Sequence, residues 1–159
     1  MNDDEVVYND DPSVGNDDPV WRRIPPGRWI YDHNENRVRP SSGNFEYSRD
    51  KGTGKKDPMS VTLGKDREPA VALAGNLVGF KLVGWSAGHL RGHVLGVCPD
   101  NQPDAAAHGL VFTLQVDDKG KRRTDISKPV QDKLSRSAEW VVGLTAEEIE
   151  ETRRRTSAP

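Results

Sequence analysis

The side chains best suited to chemistry are concentrated between positions 89 and 108: His89, His93, Cys98, Asp100, Asp104 and His108. Imidazole, thiolate and carboxylate are the groups that bind zinc, and a structural zinc site needs four of them. The spacing H-x3-H-x4-C-x9-H matches none of the usual zinc patterns, and Gly92 weakens the helix that would bring the first two histidines together. We therefore predict no metal site and no cofactor, and we interpret these histidines as ordinary loop and strand-end residues.

Cys98 and His108 each have one further interpretation. A cysteine near histidines suggests a thiol nucleophile, because a nearby base supplies thiolate. Cys98, however, ends an apolar strand, which is typical of a small buried hydrophobe. His108 stands at the start of a predicted strand, where it either donates to a neighbouring carbonyl or lies at the rim of a binding pocket. We favour the carbonyl contact, and we assign no catalytic residue.

Arginines and aromatic residues are interleaved over positions 21–39, a set comprising Trp21, Arg22, Arg23, Arg28, Trp29, Tyr31, Arg37 and Arg39. This mixture can bind phosphates and stack bases, so a nucleic-acid-binding module is one hypothesis. Alternation along a strand instead favours Trp21 and Ile24 facing the core, with the arginines solvated. The basic runs at 119–123 and 153–155 are interpreted as solvated, and the segment 52–56, Gly-Thr-Gly-Lys-Lys, lacks the complete phosphate-binding loop pattern.

Hydrophobic periodicity predicts the elements that must position these residues. Strands are predicted at 20–24, 59–63, 77–85, 92–98 and 110–116, with a hairpin of strands 28–32 and 36–39. A polar loop is predicted at 48–58, a short helix at 68–74, and a longer helix at 127–142 that packs one face on the sheet. A capping box of Thr145 and Glu148 opens a polar helix after it. The expected fold is α+β, with a small mixed or antiparallel sheet of four to six strands and a C-terminal helix packed on one face.

The 159 residues leave room for one domain, which we place at 19–143, followed by a polar C-terminal helix and tail at 144–159. Residues 1–18 hold seven acids and no Lys or Arg, leaving 23 bases against 18 acids elsewhere. This composition predicts a disordered acidic arm that maintains solubility, although such arms also bind basic partners or fold over a basic face of their own domain. The composition excludes membrane-spanning, collagen-like and disulfide-scaffold classes. The single cysteine and acidic N-terminus predict a cytoplasmic protein that does not associate with membranes.

Several short motifs occur in a recognisable order: Trp21-Arg22-Arg23-Ile24-Pro25-Pro26, Arg39-Pro40-Ser41-Ser42 followed by Phe45, Met59-Ser60-Val61, and Asp104 to His108 before an apolar strand. Over residues 20–142 this order resembles a widespread set of small bacterial proteins with the pattern RRIPP…RPSS..F…MSV…PAHA. The chain departs from that pattern at its last element, where Ala-Ala-His-Gly stands in place of Pro-Ala-His-Ala. The set has no established activity, so the resemblance implies a bacterial cytosolic single-domain protein and no mechanism.

Some of the same residues resemble parts of ADP-ribosyltransferase-like enzymes, which hold NAD with an early arginine, a serine pair and a late glutamate. Arg22 or Arg23 and Ser41-Ser42 match the first two parts, but the third is missing because Glu139 falls inside a predicted helix. The leading hypothesis is therefore a non-enzymatic binding or accessory module of a bacterial multi-protein system with a protein partner. The NAD-using enzyme and the nucleic-acid-binding module are its alternatives. The candidate binding residues are Arg22, Arg23, Arg39, Ser41, Ser42 and His108.

Overall fold

The computed structural model describes residues 7–65, 68–72, 77–100 and 107–156. Its strands are β1 (Pro19–Ile24), β2 (Trp29–Asp32), β3 (Arg37–Pro40), β4 (Ser48–Arg49), β5 (Lys56–Asp57), β6 (Met59–Leu63), β7 (Lys81–Ser86), β8 (Leu95–Pro99), β9 (His108–Thr113) and β10 (Glu139–Val142). Its helices are α1 (Pro69–Ala72), α2 (Ala87–Arg91), α3 (Lys128–Ser137) and α4 (Ala146–Arg155), and a 3-10 turn spans Ser42–Phe45. None of these helices combines the length and apolar character needed to cross a bilayer.

Six strands form one antiparallel sheet in the order β10-β7-β1-β6-β9-β8, so the fold is α+β as predicted. Alternation along β1 places Val20 and Ile24 in the main core and turns Trp21 to the opposite face. Trp21 was expected in the same layer as Ile24, and it lies instead over Gly64 and Gly84, where an added Cβ would come within 2.8 Å of the indole.

Helix α3 packs on the main-core face of the sheet. Val130 and Leu134 are buried among the strand side chains, and the indole Nε1 of Trp85 donates to the Leu134 carbonyl at 3.2 Å. The predicted hairpin is confirmed by the pairing of β2 with β3, and it extends the same core through Trp29 and Val38.

The predicted helix 127–142 is wrong beyond position 137. Ala138 leaves the helical region with a ψ of 136°, and β10 then pairs antiparallel with β7. Extension lets the Trp140 ring pack against the core and donate through Nε1 to the Val38 carbonyl at 2.9 Å. Strand pairing and this contact outweigh the helical periodicity of the segment.

Residues 7–18, here called the N-terminal strap, cross the edge strand β8 and differ from the disordered arm predicted for 1–18. The Asp11 N–H donates to the Val97 carbonyl at 2.9 Å. The Asp10 carboxylate accepts from the Val97 N–H at 2.8 Å and from Arg91 Nε at 3.1 Å. Val14 is buried in the main core. The strap therefore covers a sheet edge that would otherwise expose unpaired backbone groups, while residues 1–6 lie outside the described residues.

Other predicted boundaries shift modestly. The loop 48–58 contains the short β4–β5 ladder, and strand pairing begins at Lys81 rather than at position 77. The segment 87–91 forms α2, so the strand expected at 92–98 starts at Leu95. The last positions of the predicted helix 68–74 lie outside the described residues.

Helix α4 begins with the predicted capping box, in which Thr145 and Glu148 satisfy each other's backbone N–H groups. Lys81 Nζ also contacts the Glu148 carboxylate at 2.8 Å. At the other end of the helix, Thr156 Oγ1 accepts from the Tyr31 N–H at 3.1 Å, which fastens α4 to the hairpin.

Candidate functional site

Arg22 was predicted as a binding residue, and the structure assigns its guanidinium to the fold. It lies on the main-core face of β1, where Nε donates to the Asn44 carbonyl at 3.2 Å and a terminal nitrogen donates to the Ser60 carbonyl at 2.6 Å. Burial lowers the pKa of Arg22 to about 10, so the side chain remains charged at neutral pH. Arg22 therefore ties the 3-10 turn to the sheet.

Arg23 and Arg39 also bond to the protein itself. Arg23 points away from Arg22, on the opposite face of β1, and its Nε donates to the Ala72 carbonyl at 2.8 Å. Arg39 pairs with the Asp32 carboxylate at 3.0 Å and donates to the hydroxyl of buried Ser135. The three arginines thus stabilise three separate parts of the fold, and their side chains do not converge on one site.

Ser41 and Ser42 lie where the 3-10 turn begins, close to the acceptor of Arg22. The Ser41 N–H donates to the Arg28 carbonyl at 3.1 Å. The Ser42 hydroxyl hydrogen-bonds to the Asp132 carboxylate, which lowers the pKa of Asp132. Both serines fix the turn to its surroundings, and Arg22 and Arg23 face opposite sides of the sheet. Glu139, which was expected inside a helix, instead begins strand β10. The matched arginines and serines bond to the protein itself, and the NAD-binding hypothesis stays a prediction.

His108 contacts a carboxylate and not the carbonyl that the sequence suggested. Its Nδ1 lies 2.7 Å from Asp100 Oδ2, and the Asp100 N–H donates to the His108 carbonyl at 2.9 Å. The carboxylate comes within reach because β8 and β9 are adjacent antiparallel strands. Both side chains are about one-quarter exposed, at 27% and 26%. This contact fastens the two ends of the segment that joins the strands.

His89 and Ser137 resemble a base and nucleophile, but their hydrogen bonds run in the wrong direction. His89 Nε2 lies 2.9 Å from Ser137 Oγ, and that hydroxyl donates its proton to the Lys133 carbonyl at 2.7 Å. In this arrangement the Ser137 hydroxyl donates to a backbone carbonyl and not to His89, so the pair is not arranged for base activation of the serine. His89 lies in α2 rather than in a loop, and despite Gly92 its ring centroid is 4.9 Å from that of His93. Burial, followed by the charge of His89, lowers the pKa of His93.

Cys98 is half-buried, and the described zinc-type ligands do not gather around it, while Asp104 lies outside the described residues. Burial raises the pKa of the Cys98 thiol, with a further contribution from the Asp100 charge, which disfavours the nucleophilic thiolate. Across the described part of the chain, no three His, Cys, Asp or Glu residues come together in a group that could hold a metal ion.

A different place in the molecule combines a cavity with converging charge. We call it the cationic cleft, and its volume is about 220 Å³. It lies where the N-terminal strap, the β4–β5 hairpin and the segment after β9 meet. The lining residues are Val7, Tyr8, Tyr47, Lys55, Lys56, Asp57, Pro58, Phe112, Thr113, Lys121, Arg122, Arg123 and Thr124.

Aromatic rings form the apolar part of the cleft. The Tyr8 and Phe112 rings are 5.7 Å apart between centroids and inclined by 35°. Tyr47 packs against the main core and its hydroxyl accepts from the Thr113 N–H at 2.8 Å. Burial raises the pKa of both tyrosines, so they remain neutral phenols at physiological pH. The rings therefore offer apolar faces without negative charge.

Two hydrogen-bonded residues hold the walls of the cleft together. Asp125 accepts from the Tyr47 N–H at 2.8 Å through one oxygen, and its other oxygen lies 2.8 Å from Lys56 Nζ. Arg122 donates to the Tyr8 carbonyl at 2.8 Å, linking the segment after β9 to the strap. These contacts preorganise a site from parts of the chain that are far apart in sequence.

The described lining of the cleft is rich in cationic side chains. Five of them line it together with one described carboxylate, Asp57. Among the described residues, the count is five cations to two carboxylates when Asp125 is included because it pairs with Lys56. Lys55, Lys121 and Arg123 are exposed at the rim. Positive charge beside apolar rings in a concave site favours an anionic ligand that carries an apolar or aromatic group.

The parts of this cleft are recognisable in the sequence only as separate segments. The basic residues at 55–56 and 121–123 were interpreted as solvated loops, and Tyr8 was placed in a disordered arm. The local signal is the clustering of basic residues, two at 55–56 and three at 121–123. Nothing in the sequence shows that the two loops meet.

Comparison with known protein families, curated proteins and solved structures finds no match to this chain. The resemblance to bacterial proteins of the RRIPP pattern therefore stays a prediction. Function is inferred below from the residues and geometry of the chain itself.

Proposed function

We propose that this chain is a non-enzymatic binding module, acting in a bacterial multi-protein system, and that the cationic cleft holds its anionic ligand. The observation that carries the proposal is the convergence of five cationic side chains on a cavity lined by Tyr8, Tyr47 and Phe112. The protein partner and the cytoplasmic location predicted from the sequence stay predictions.

The chemistry of the lining supports binding rather than turnover. The two tyrosines have raised pKa values and keep their protons at neutral pH. Lys56 is engaged by Asp125, and Arg122 is committed to backbone carbonyls. General acid–base catalysis needs a group whose pKa lies near the working pH. The described lining contains neither histidine nor cysteine, and its cations are suited to holding charge.

The test is a calorimetric titration with tripolyphosphate at low ionic strength, where exposed charges are least screened. The cleft variant Lys55→Glu/Arg123→Glu replaces two exposed rim cations. The control variant Lys128→Glu/Arg154→Glu makes the same change in net charge at side chains that are 69% and 74% exposed elsewhere. Comparing the two variants separates the effect of losing cations at the cleft from the effect of the changed net charge of the protein.

Wild type and control are expected to bind tripolyphosphate at one site, and the cleft variant about tenfold more weakly. Two lost surface ion contacts are worth about 0.5 to 1 kcal/mol each, and a loss of 1.4 kcal/mol is tenfold. Equal affinity in the cleft and control variants would contradict the proposed site. Tripolyphosphate should also be recovered intact after incubation, as followed by phosphorus NMR, and protein-dependent hydrolysis would contradict the non-enzymatic assignment.

A further inference from the structure

We propose that the ligand of the cationic cleft is a mononucleotide, with its base against the aromatic rings and its phosphate at the basic rim. This inference rests on the proposed function and adds the chemical class of the ligand. A nucleotide combines a flat ring with a phosphate, and the cleft presents separate surfaces for these two groups.

The size of the cleft limits the ligand to one ring system. Its volume of about 220 Å³ falls just below the range of roughly 300 to 1,000 Å³ that is usual for small-molecule sites. The rings of Tyr8 and Phe112 are already in contact within it. A base therefore stacks on the exposed side of this pair, and there is no room for a second base beside it.

The aromatic side of the cleft matches a nucleobase in polarity as well as shape. Phe112 is buried beneath Tyr8, whereas Tyr8 itself is half-buried and presents its ring to the cavity. The Tyr47 hydroxyl accepts a hydrogen bond from the Thr113 N–H, and its own proton is a donor for a ring nitrogen or carbonyl oxygen of a base. Stacking supplies affinity, and this donor supplies orientation.

The rim matches a phosphate. Arg123 and Lys55 are exposed there, on opposite loops. A guanidinium binds two phosphate oxygens at once, and an ammonium adds a compact point charge. Arg122 donates to the Tyr8 carbonyl. This hydrogen bond fixes the position of the Tyr8 ring relative to the neighbouring basic residues of the rim.

The charge pattern favours a single nucleotide over a nucleic-acid strand. A strand needs a continuous basic track along its backbone. The two loops that carry the cations also carry carboxylates at Asp50, Asp57, Asp117 and Asp118, so the cations along these loops do not form an uninterrupted basic track. Asp50 and Asp117 accept bonds from backbone N–H groups within their own turns and remain fixed there.

The experiment compares adenosine monophosphate, ribose 5-phosphate and tripolyphosphate in calorimetric titrations of the full chain. Adenosine monophosphate is expected to bind about tenfold more tightly than ribose 5-phosphate, since stacking of one base on an aromatic side chain supplies that order of affinity. Tyr8→Leu should remove most of this preference, and Tyr8→Phe, which retains the ring, should preserve it. The thermal midpoint of each variant confirms that it is folded.

A second measurement on wild type does not depend on any variant. Ring-proton NMR signals of Tyr8 and Phe112 are expected to shift when adenosine monophosphate is added and to stay in place with ribose 5-phosphate. If tripolyphosphate binds but the two sugar phosphates bind equally and no ring signal moves, the nucleotide inference is wrong and the anion site stands. If tripolyphosphate does not bind, the proposed function itself fails.

A ten-nucleotide single strand of adenylate provides the last comparison. We expect the strand to bind no more tightly than adenosine monophosphate when both affinities are calculated from the molar concentration of molecules. A gain of more than tenfold would assign the cleft to a nucleic-acid strand and overturn the mononucleotide inference.

Discussion

Val14 provides a direct test of whether the N-terminal strap is part of the fold. Its side chain is 5% exposed and lies in the main core. Val14→Ala removes two methyl groups, which at about 0.8 kcal/mol per buried carbon cost about 1.6 kcal/mol. Incomplete collapse of the resulting cavity adds to this, so the expected loss is about 2 kcal/mol. Val7, in the same strap, is 58% exposed, and Val7→Ala should change stability by less than about 0.5 kcal/mol.

Urea unfolding followed by tryptophan fluorescence measures both variants. With a slope of about 2 kcal/mol per molar urea, the expected loss moves the Val14→Ala midpoint down by about 1 M. The slope itself should match that of wild type, because the surface exposed on unfolding changes little. Midpoints of the two variants that agree within error would refute the packed strap and restore the disordered arm predicted from composition.

Three further perturbations test individual contacts. Ser135 is fully buried and its hydroxyl donates to the Pro40 carbonyl. Ser135→Ala should lower the free energy of unfolding in urea by about 1 to 3 kcal/mol, because it leaves that carbonyl unpaired. The control Ser60→Ala, at an exposed position, should leave stability unchanged. His108→Ala should cost less than about 1 kcal/mol, because its contact with Asp100 is partly exposed to solvent, and a loss above about 3 kcal/mol would contradict this surface role. The Lys81 contact lowers the pKa of Glu148 from its ordinary 4.5, so its stabilisation is present above that value and disappears as the pH falls through the lowered pKa. The thermal midpoint of Glu148→Gln should therefore fall less than that of wild type between pH 7 and roughly pH 3, and identical pH profiles would contradict this contribution.

Elements specified by local signals were predicted well. The β2–β3 hairpin follows from the Asp32–Asn36 turn, in which Asp32 accepts from the N–H groups of Asn34 and Glu35. The capping box at Thr145 was predicted from two residue types at a fixed spacing. In each case the decisive contact lies within four positions along the chain, so the sequence contains the necessary information.

Elements decided by distant contacts were predicted poorly. The segment 139–142 has apolar residues that fit the stripe of a helix, and the same residues fit a strand. The choice depends on pairing with β7 and on the Val38 carbonyl, which lies 102 positions away from Trp140. Hydrophobic periodicity cannot distinguish a helix from a strand in this segment, because the residues that decide between them are distant in sequence.

The strap shows the limit of composition as a guide to order. Its high content of acidic residues lowers the apolar area it can bury, which is why it was assigned to a disordered arm. Order comes instead from a few placed groups: Val14 in the core, and Asp10 bonded to both Arg91 and the backbone of β8. The edge strand β8 provides the hydrogen-bonding partner for the strap. Composition alone does not show that such a partner exists.

The cationic cleft depends on the same long-range order. Asp125 joins the β4–β5 hairpin to the segment after β9, and Arg122 joins that segment to the strap through the Tyr8 carbonyl. Because Tyr8 belongs to the strap, a ligand that contacts its ring binds only the docked form. Ligand affinity and strap docking are therefore thermodynamically linked, and each stabilises the other. The N-terminal strap was predicted from its composition to lie outside the domain. In the structure it forms one wall of the cationic cleft, the best candidate binding site of the domain.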